Sequence, residues 1–300
     1  MRNAFATALC DAADKDESLR LLVGDIGFRV FDEFISKHPN RFINCGIAEQ
    51  NMISVAAGMA SEGLRPVVYT IIPFLVMRAF EQIRVDIGIN QTNVMLVGVG
   101  AGFAYDKLGP THHAYEDIAL MRTVCGLQLY VPFDPKSTEQ CFRHAHTQQL
   151  KGIGSYIRLS KGGEAYIPTT AVISDHISIA RMRASDKCIV VHGAITATVL
   201  DICEEKDTLH TVLSITLIND QIIDRLICEI GARITNRAEI IVVEECFRFG
   251  SLYSEIAMRV AENGLGWSVS GIHIPHMYTF DIQDRNYLIN QKMKLQERIK

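Results

Sequence analysis

One carboxylate in this chain sits where a carboxylate is expensive. In RFINCGIAEQNMISVAAGMASEG, residues 41–63, Glu49 opens a run whose Ser54, Ala56, Ala57, Gly58 and Ala60 form a helix too thin to fill space alone. Something large must press on such a helix, either another helix or another subunit, and Glu49 is then held in a dry place. A carboxylate there finds a basic partner or keeps its proton, because desolvation disfavours the charged form. Both outcomes are useful to an enzyme. The alternative is a plain first-turn Glu that complements the helix dipole.

Three further groups can do chemistry. GPTHH, residues 109–113, lies in a Gly-rich segment too long to be a plain connection, and His112 or His113 can move a proton or hold an oxyanion near neutral pH. Against this, Thr111 can cap the helix that follows and leave the histidines on the surface. Phe74, Met77 and Phe80 form one helical stripe, which is ordinary core packing unless Phe74, nearest a strand end, stacks on a ring. Lys161, in RLSKGG, can present charge and backbone N–H groups to an anion, although many such lysines are merely exposed. Glu244 and Glu245 end a strand, where paired carboxylates read as a solvated edge. The eight scattered cysteines form no CxxC or Cys/His motif, so they read as small buried hydrophobes and no metal site is expected.

These residues need elements to position them. The chain has 300 residues, 48% hydrophobic and 21% charged, which is a globular composition with room for two domains. A net charge of -4 and the lack of a basic cluster exclude a nucleic-acid binder, and no apolar run reaches membrane-spanning length. The N-terminal stretch carries acidic residues where a secretory peptide needs an apolar core, so a cytoplasmic location is expected. Strands at 19–24, 41–45, 65–70, 93–99, 127–131 and 155–159 alternate with helices, one of them running unbroken over 74–87 and another over 115–124. The pattern breaks over 162–187 and resumes as strand 188–193, helix 195–206, strand 209–218, helix 220–233, strand 239–245 and helix 251–264. This predicts an α/β protein of two doubly wound domains, 1–166 and the smaller 187–300, joined by a linker over 167–186. Ligands on such sheets gather at the carboxyl ends of strands, where Gly46, Thr70 and the segment after Val99 all fall.

In this order, GIAEQNM, an aromatic-bearing helix ending EQIR, GPTHH before an acidic helix, and RLSKGG resemble the pyrimidine-binding domain of the transketolase family, which includes 1-deoxyxylulose-5-phosphate synthase. The trailing domain is similar to that family's C-terminal domain. The resemblance implies a thiamine-diphosphate enzyme transferring a two-carbon ketol unit between sugars. It implies that Glu49 hydrogen-bonds the aminopyrimidine N1′ and favours the tautomer that activates the thiazolium. Phe74 would stack on the pyrimidine, with Phe80 lining the same pocket. His112 would contact the donor's oxygen, and Lys161, Arg158 and, less securely aligned, Arg2 would bind the sugar substrate and its phosphate.

The family's diphosphate and Mg2+ domain, with its GDG sequence, has no counterpart here, since Gly24-Asp25 is followed by Ile26. The chain therefore resembles the second half of a split transketolase, and the resemblance implies a partner subunit in an α2β2 heterotetramer. The departures matter as well. Leu108 stands where many relatives carry an Asp that reads a donor hydroxyl, and Gly100-Ala101 where they carry a phosphate-binding His or Arg. A donor other than the usual pentose and hexose phosphates is expected, such as a modified or nucleotide-linked sugar. The rivals are the beta subunit of a 2-oxo acid dehydrogenase, disfavoured by GPTHH and EQIR, and a non-catalytic assembly subunit, disfavoured by the joint presence of Glu49, Phe74 and His112.

Overall fold

The computed structural model describes residues 1–233 and 238–300. Its first half runs α1 (Arg2–Ala13), β1 (Leu19–Val23), α2 (Asp32–Lys37), β2 (Phe42–Asn44), α3 (Glu49–Ser61), β3 (Arg65–Ile71), α4 (Phe80–Gln82), β4 (Met95–Val99), α5 (Asp117–Arg122), β5 (Gln128–Tyr130), α6 (Pro135–Gln149) and β6 (Ser155–Leu159). The strands pair in parallel in the order β5-β6-β4-β3-β1-β2. Both faces are covered, so alternate strand residues enter different cores. Leu22, Val68 and Leu96 pack with Met52 and Ile53 of α3 and Ile118 of α5. Leu21, Val67 and Met95 pack with Phe5 of α1 and Phe142 of α6. The start of α6 is fixed by a capping box in which Asp134 accepts from Ser137 N at 2.7 Å and Asp134 N donates to Ser137 Oγ at 2.9 Å.

The second half contains β7 (Ala171–Ser174), β8 (Ile177–Arg181), β9 (Lys187–Val191), α7 (Ile195–Glu205), β10 (Thr211–Ile215), β11 (Leu217–Ile218), α8 (Asp220–Arg233), β12 (Glu239–Val243), α9 (Leu252–Glu262) and β13 (Ser268–Ile272). Its sheet has the order β13-β12-β9-β10-β8-β7, with β7 and β8 antiparallel at one edge. Two expectations are corrected here. The stretch read as a linker holds β7 and β8, where Ile177 and Ile179 are buried at alternate positions. The strand expected over 209–218 breaks at Thr216. Its second part, β11, crosses to the first sheet, where Leu217 pairs with Tyr130 antiparallel. The crossing is held by His176, whose carbonyl accepts from Thr216 N at 3.0 Å, and by Val131 N, which donates to Thr216 O at 2.9 Å.

The helix expected over 74–87 is likewise broken into π-helical turns at Pro73–Met77 and Ile83–Ile89 around α4. The helix expected from 115 begins only at Asp117. Five cysteines are buried as expected, but Cys125 and Cys228 are exposed. Among the described residues no helix is long and apolar enough to cross a membrane.

Glu244 and Glu245 are no solvated edge: they are 0% and 4% exposed. Glu244 accepts from Leu252 N and Tyr253 N, both at 2.9 Å, and so satisfies the open N-terminus of α9. His192 and His273 approach the same carboxylate at 3.0 and 3.2 Å. Burial would push this carboxyl up, but the hydrogen bonds and attraction of the two imidazoles prevail and hold it well below the usual range. A depressed folded-state value means stability present above the unfolded carboxyl value of about 4.3 and lost as pH falls through the folded one. Glu244→Gln is therefore expected to cost about 2 kcal/mol at pH 7 in urea unfolding, with the difference shrinking below about pH 4. An equal loss at both pH values would mean that ionisation of Glu244 contributes nothing.

Candidate active site

Glu49 opens α3 just past a turn in which Gly46 takes φ 67°, and it is 1% exposed. A Cβ at Gly24, after β1, would lie 2.9 Å from Thr70 Oγ1 and 3.6 Å from Glu49 Cγ, so the carboxyl ends of β1 and β3 close directly on this side chain. Of the two outcomes open to a dry carboxylate, the structure shows the paired one. Arg78 Nη1 donates to Glu49 Oε2 at 2.6 Å, although the Arg78 side chain is 43% exposed. The rest of α3 divides cleanly. Met52, Ile53, Ala56 and Ala57 face the core, while Ser54, Val55 and Gly58 leave a flat exposed face, and a Cβ at Gly58 would meet nothing within 4 Å.

From Arg78 a continuous line of contacts leads away from Glu49. The guanidinium lies 4.6 Å from the Phe74 ring centroid. Phe74 meets the His112 ring edge-on at 5.2 Å, His112 meets Tyr105 at 6.1 Å, and Lys161 Nζ lies 5.4 Å over the Tyr105 ring. Tyr105 fits there because Gly100, at φ 100°, has no Cβ; one would collide with the phenol ring. Three strand-end segments thus converge. Phe80 does not join them: it is half-buried and packs on the core, and no ring contact links it to Phe74 or His112 among the described residues.

The two histidines separate by environment. His113 is 1% exposed, with Nδ1 2.5 Å from Tyr115 Oη and Nε2 3.3 Å from the Asp106 carbonyl, which fixes the loop. His112 is half-buried, with Nδ1 3.0 Å from Thr111 Oγ1 and its ring against Phe74. Burial lowers its pKa, so at neutral pH it is an uncharged imidazole that can both donate and accept.

Lys161 and Arg2 line a cavity of about 820 Å3 between the two domains, to which Ser160, Asp106, Thr198 and Arg285 also contribute. Arg2 Nη2 would lie 3.5 Å from a Cβ at Gly162, and the buried Arg2 Nε has no hydrogen-bond partner among the described residues. An orphaned guanidinium nitrogen at a cavity wall suits an anion. Arg158 lies elsewhere. It is 3% exposed, and its Nε and Nη2 donate to Asp117 at 2.7 and 3.2 Å and to the carbonyls of Ala114 and Glu245, both at 3.1 Å. Those bonds anchor the His112 loop from below. Glu245 helps: its Oε1 accepts from Phe103 N at 2.8 Å, and it pairs with Arg285 at 2.5 Å. The sequence reading missed Arg78 and Tyr105. The only local signal for either was one cation inside the apolar PFLVMRAF run.

The chain is similar to several curated proteins. It is 36% identical over 140 residues to one subunit of the apulose-4-phosphate transketolase of Phocaeicola vulgatus, covering 46% of this chain and 45% of that one. It is 28% identical over 280 residues to 1-deoxy-D-xylulose-5-phosphate synthase of Pseudarthrobacter chlorophenolicus, covering 91% of this chain and 42% of that one. The chain thus spans less than half the length of these relatives. Among solved structures it superposes on a split gene transketolase described as an inactive beta4 tetramer, with a TM-score of 0.80 and 26% identity, covering 99% of this chain and 97% of that one. The family model of the transketolase pyrimidine-binding domain matches residues 1–163, more than half of the chain, and with the convergence of Glu49, Phe74 and His112 at the strand ends it establishes that this chain belongs to the transketolase pyrimidine-binding family.

Proposed function

We propose that this chain is the pyrimidine-side subunit of a thiamine-diphosphate enzyme that transfers a two-carbon ketol unit between sugars, working with a second chain that supplies the diphosphate and Mg2+ site. The observation that carries this reading is the Glu49–Arg78–Phe74 arrangement. A guanidinium is planar, cationic and rich in N–H donors, and here it lies between a buried carboxylate and an aromatic face. An aminopyrimidine protonated at N1′ is likewise a planar cation with N–H donors, so the buried carboxylate and the aromatic face fit that group with Arg78 as its stand-in. When bound, thiamine diphosphate supplies the electron sink for carbon–carbon cleavage.

The protein's own residues orient and move protons. Glu49 holds a proton at the N1′ nitrogen from a site that water does not reach, which strengthens its hydrogen bond. Phe74 fixes the plane of the ring. His112, neutral and adjacent to Phe74, donates to or accepts from the donor's oxygen, while Lys161 and Arg2 hold an anionic end of the substrate in the inter-domain cavity. Arg158 acts on the substrate only indirectly, through the loop it anchors. The flat exposed face of α3, flanked by exposed Ile47 and Phe28, is the proposed seam with further subunits, in keeping with an α2β2 assembly. The resemblance to an inactive tetramer made of beta chains supports the need for a partner.

The deciding experiment is co-purification of the chain with its partner, followed by titration with thiamine diphosphate and Mg2+. Binding confined to the complex is expected; binding to neither the chain nor any complex would overturn the proposal. Within an active complex, Glu49→Gln is expected to reduce turnover by about 10² or more while assembly is retained, and unchanged turnover would remove Glu49 from the chemistry. His112→Ala is expected to lower donor turnover by a comparable factor of about 10² and leave cofactor affinity intact, so a collapse of that affinity would reassign the histidine. Arg78→Met removes the group that holds the cofactor's place. Because the pair it breaks is half open to solvent, cofactor binding should tighten by only about fivefold, and weaker binding would show instead that Arg78 contacts the cofactor favourably.

A further inference from the structure

The second domain has a cavity of its own, of about 300 Å3, at the carboxyl ends of β12 and β13. It shares no lining residue with the inter-domain cavity. Open parallel sheets take ligands at this edge. Arg248, Lys292, Lys294, Arg298, His273 and His276 all line it, and among the described residues no acidic one does. Four Lys and Arg side chains around one small cavity are unexpected in a chain of net charge -4. Like charges gathered around one small cavity repel one another unless an anion lies among them.

Their internal partners account for only part of this charge. Lys292 pairs with Asp281 at 2.5 Å, and Arg298 donates to the Gly271 carbonyl at 2.6 Å. Among the described residues, the Arg248 side chain has only ring contacts, 5.7 Å to Phe249 and 5.9 Å to Tyr253, and Lys294 has no side-chain hydrogen bond or ion pair. Glu244, which His273 of the lining reaches, is already engaged by two backbone N–H groups and two imidazoles. The floor is kept open by Gly271: a Cβ there would collide with the His273 ring, which folds back over this residue to reach Glu244.

We propose that this cavity binds a small phosphate-bearing molecule. Arg248 offers the phosphate a planar fork of donors and Lys294 a mobile point charge, while Tyr253, also in the lining, flanks the organic part. The volume is near the lower end of the range for ligand pockets, about 300–1,000 Å3, which suits a phosphomonoester or diphosphate with a small body and not a long polyanion.

Calorimetric titration of the full chain with inorganic pyrophosphate at low salt tests this. The wild-type chain should bind, and the Arg248→Ala/Lys294→Ala double variant should bind about tenfold more weakly or worse. Both side chains are exposed, so the melting temperature should not change. Lys294→Glu should weaken binding at least as much as neutralisation does. Arg2→Ala/Lys161→Ala, at the other cavity, should retain this binding, which separates the proposal from the catalytic reading. No binding by the wild-type chain, equal affinity in Arg248→Ala/Lys294→Ala, or a loss confined to Arg2→Ala/Lys161→Ala would overturn it.

Discussion

Arg158 and Asp117 place two opposite charges where water does not reach, at 3% and 0% exposure. Desolvating two ions is costly, and their attraction offsets that cost only when geometry is good and the remaining donors are occupied. Here both conditions hold, because the guanidinium also binds the carbonyls of Ala114 and Glu245, and Tyr156 donates to Asp117 at 2.8 Å. The result is a joint between β6, the start of α5, the His112 loop and the second domain. The loop from Gly100 to Glu116 contains almost no regular structure, yet the Gly102–Ala114 bridge, Glu245 and Arg158 leave it little freedom. His112 therefore owes its position beside Phe74 to charges that never touch a substrate.

The site itself depends on a second dry carboxylate with the opposite character. Asp117 is permanently matched, whereas Glu49 has a partner that reaches in from solvent on a flexible side chain. Releasing Arg78 into water costs little, because almost half of it is already there. A buried acid can thus be kept satisfied while the protein waits for a ligand. The thin outward face of α3 belongs to the same design, since only small side chains let another large surface approach this close to Glu49.

Much of this architecture is visible in the amino-acid order. Runs such as NVMLVGV and SYIRL read as buried parallel strands because both faces are covered, and the alternation of strand and helix then fixes the carboxyl ends where Glu49, Phe74 and His112 meet. The dryness of Glu49 was legible from the size of its neighbours. What was hidden depends on contacts distant in sequence. Glu244 and Glu245 look like a polar strand end until α9 and Arg285 close over them. Arg78 looks like a surface cation, Tyr105 looks like a loop residue until it is seated on Gly100, and Arg158 reads as a ligand contact until Asp117 arrives from 41 residues away. In the same way, β7 does not alternate and β8 alternates too briefly to stand out, and nothing local marks Thr216 as the place where a strand changes sheets.

That change of sheets bears on how such a protein can be divided. Since β11 follows β10 after a single residue, the outermost strand of the first sheet is encoded well past β6, on the far side of four strands that belong to the second. A cut in the connection after β6 would leave β5 with an open row of backbone donors and acceptors, the kind of edge on which chains aggregate. Gene fission, proteolytic nicking or domain shuffling at that apparent boundary would therefore not yield two independent modules. A division that keeps both sheets whole must therefore fall outside the stretch from β6 to β11.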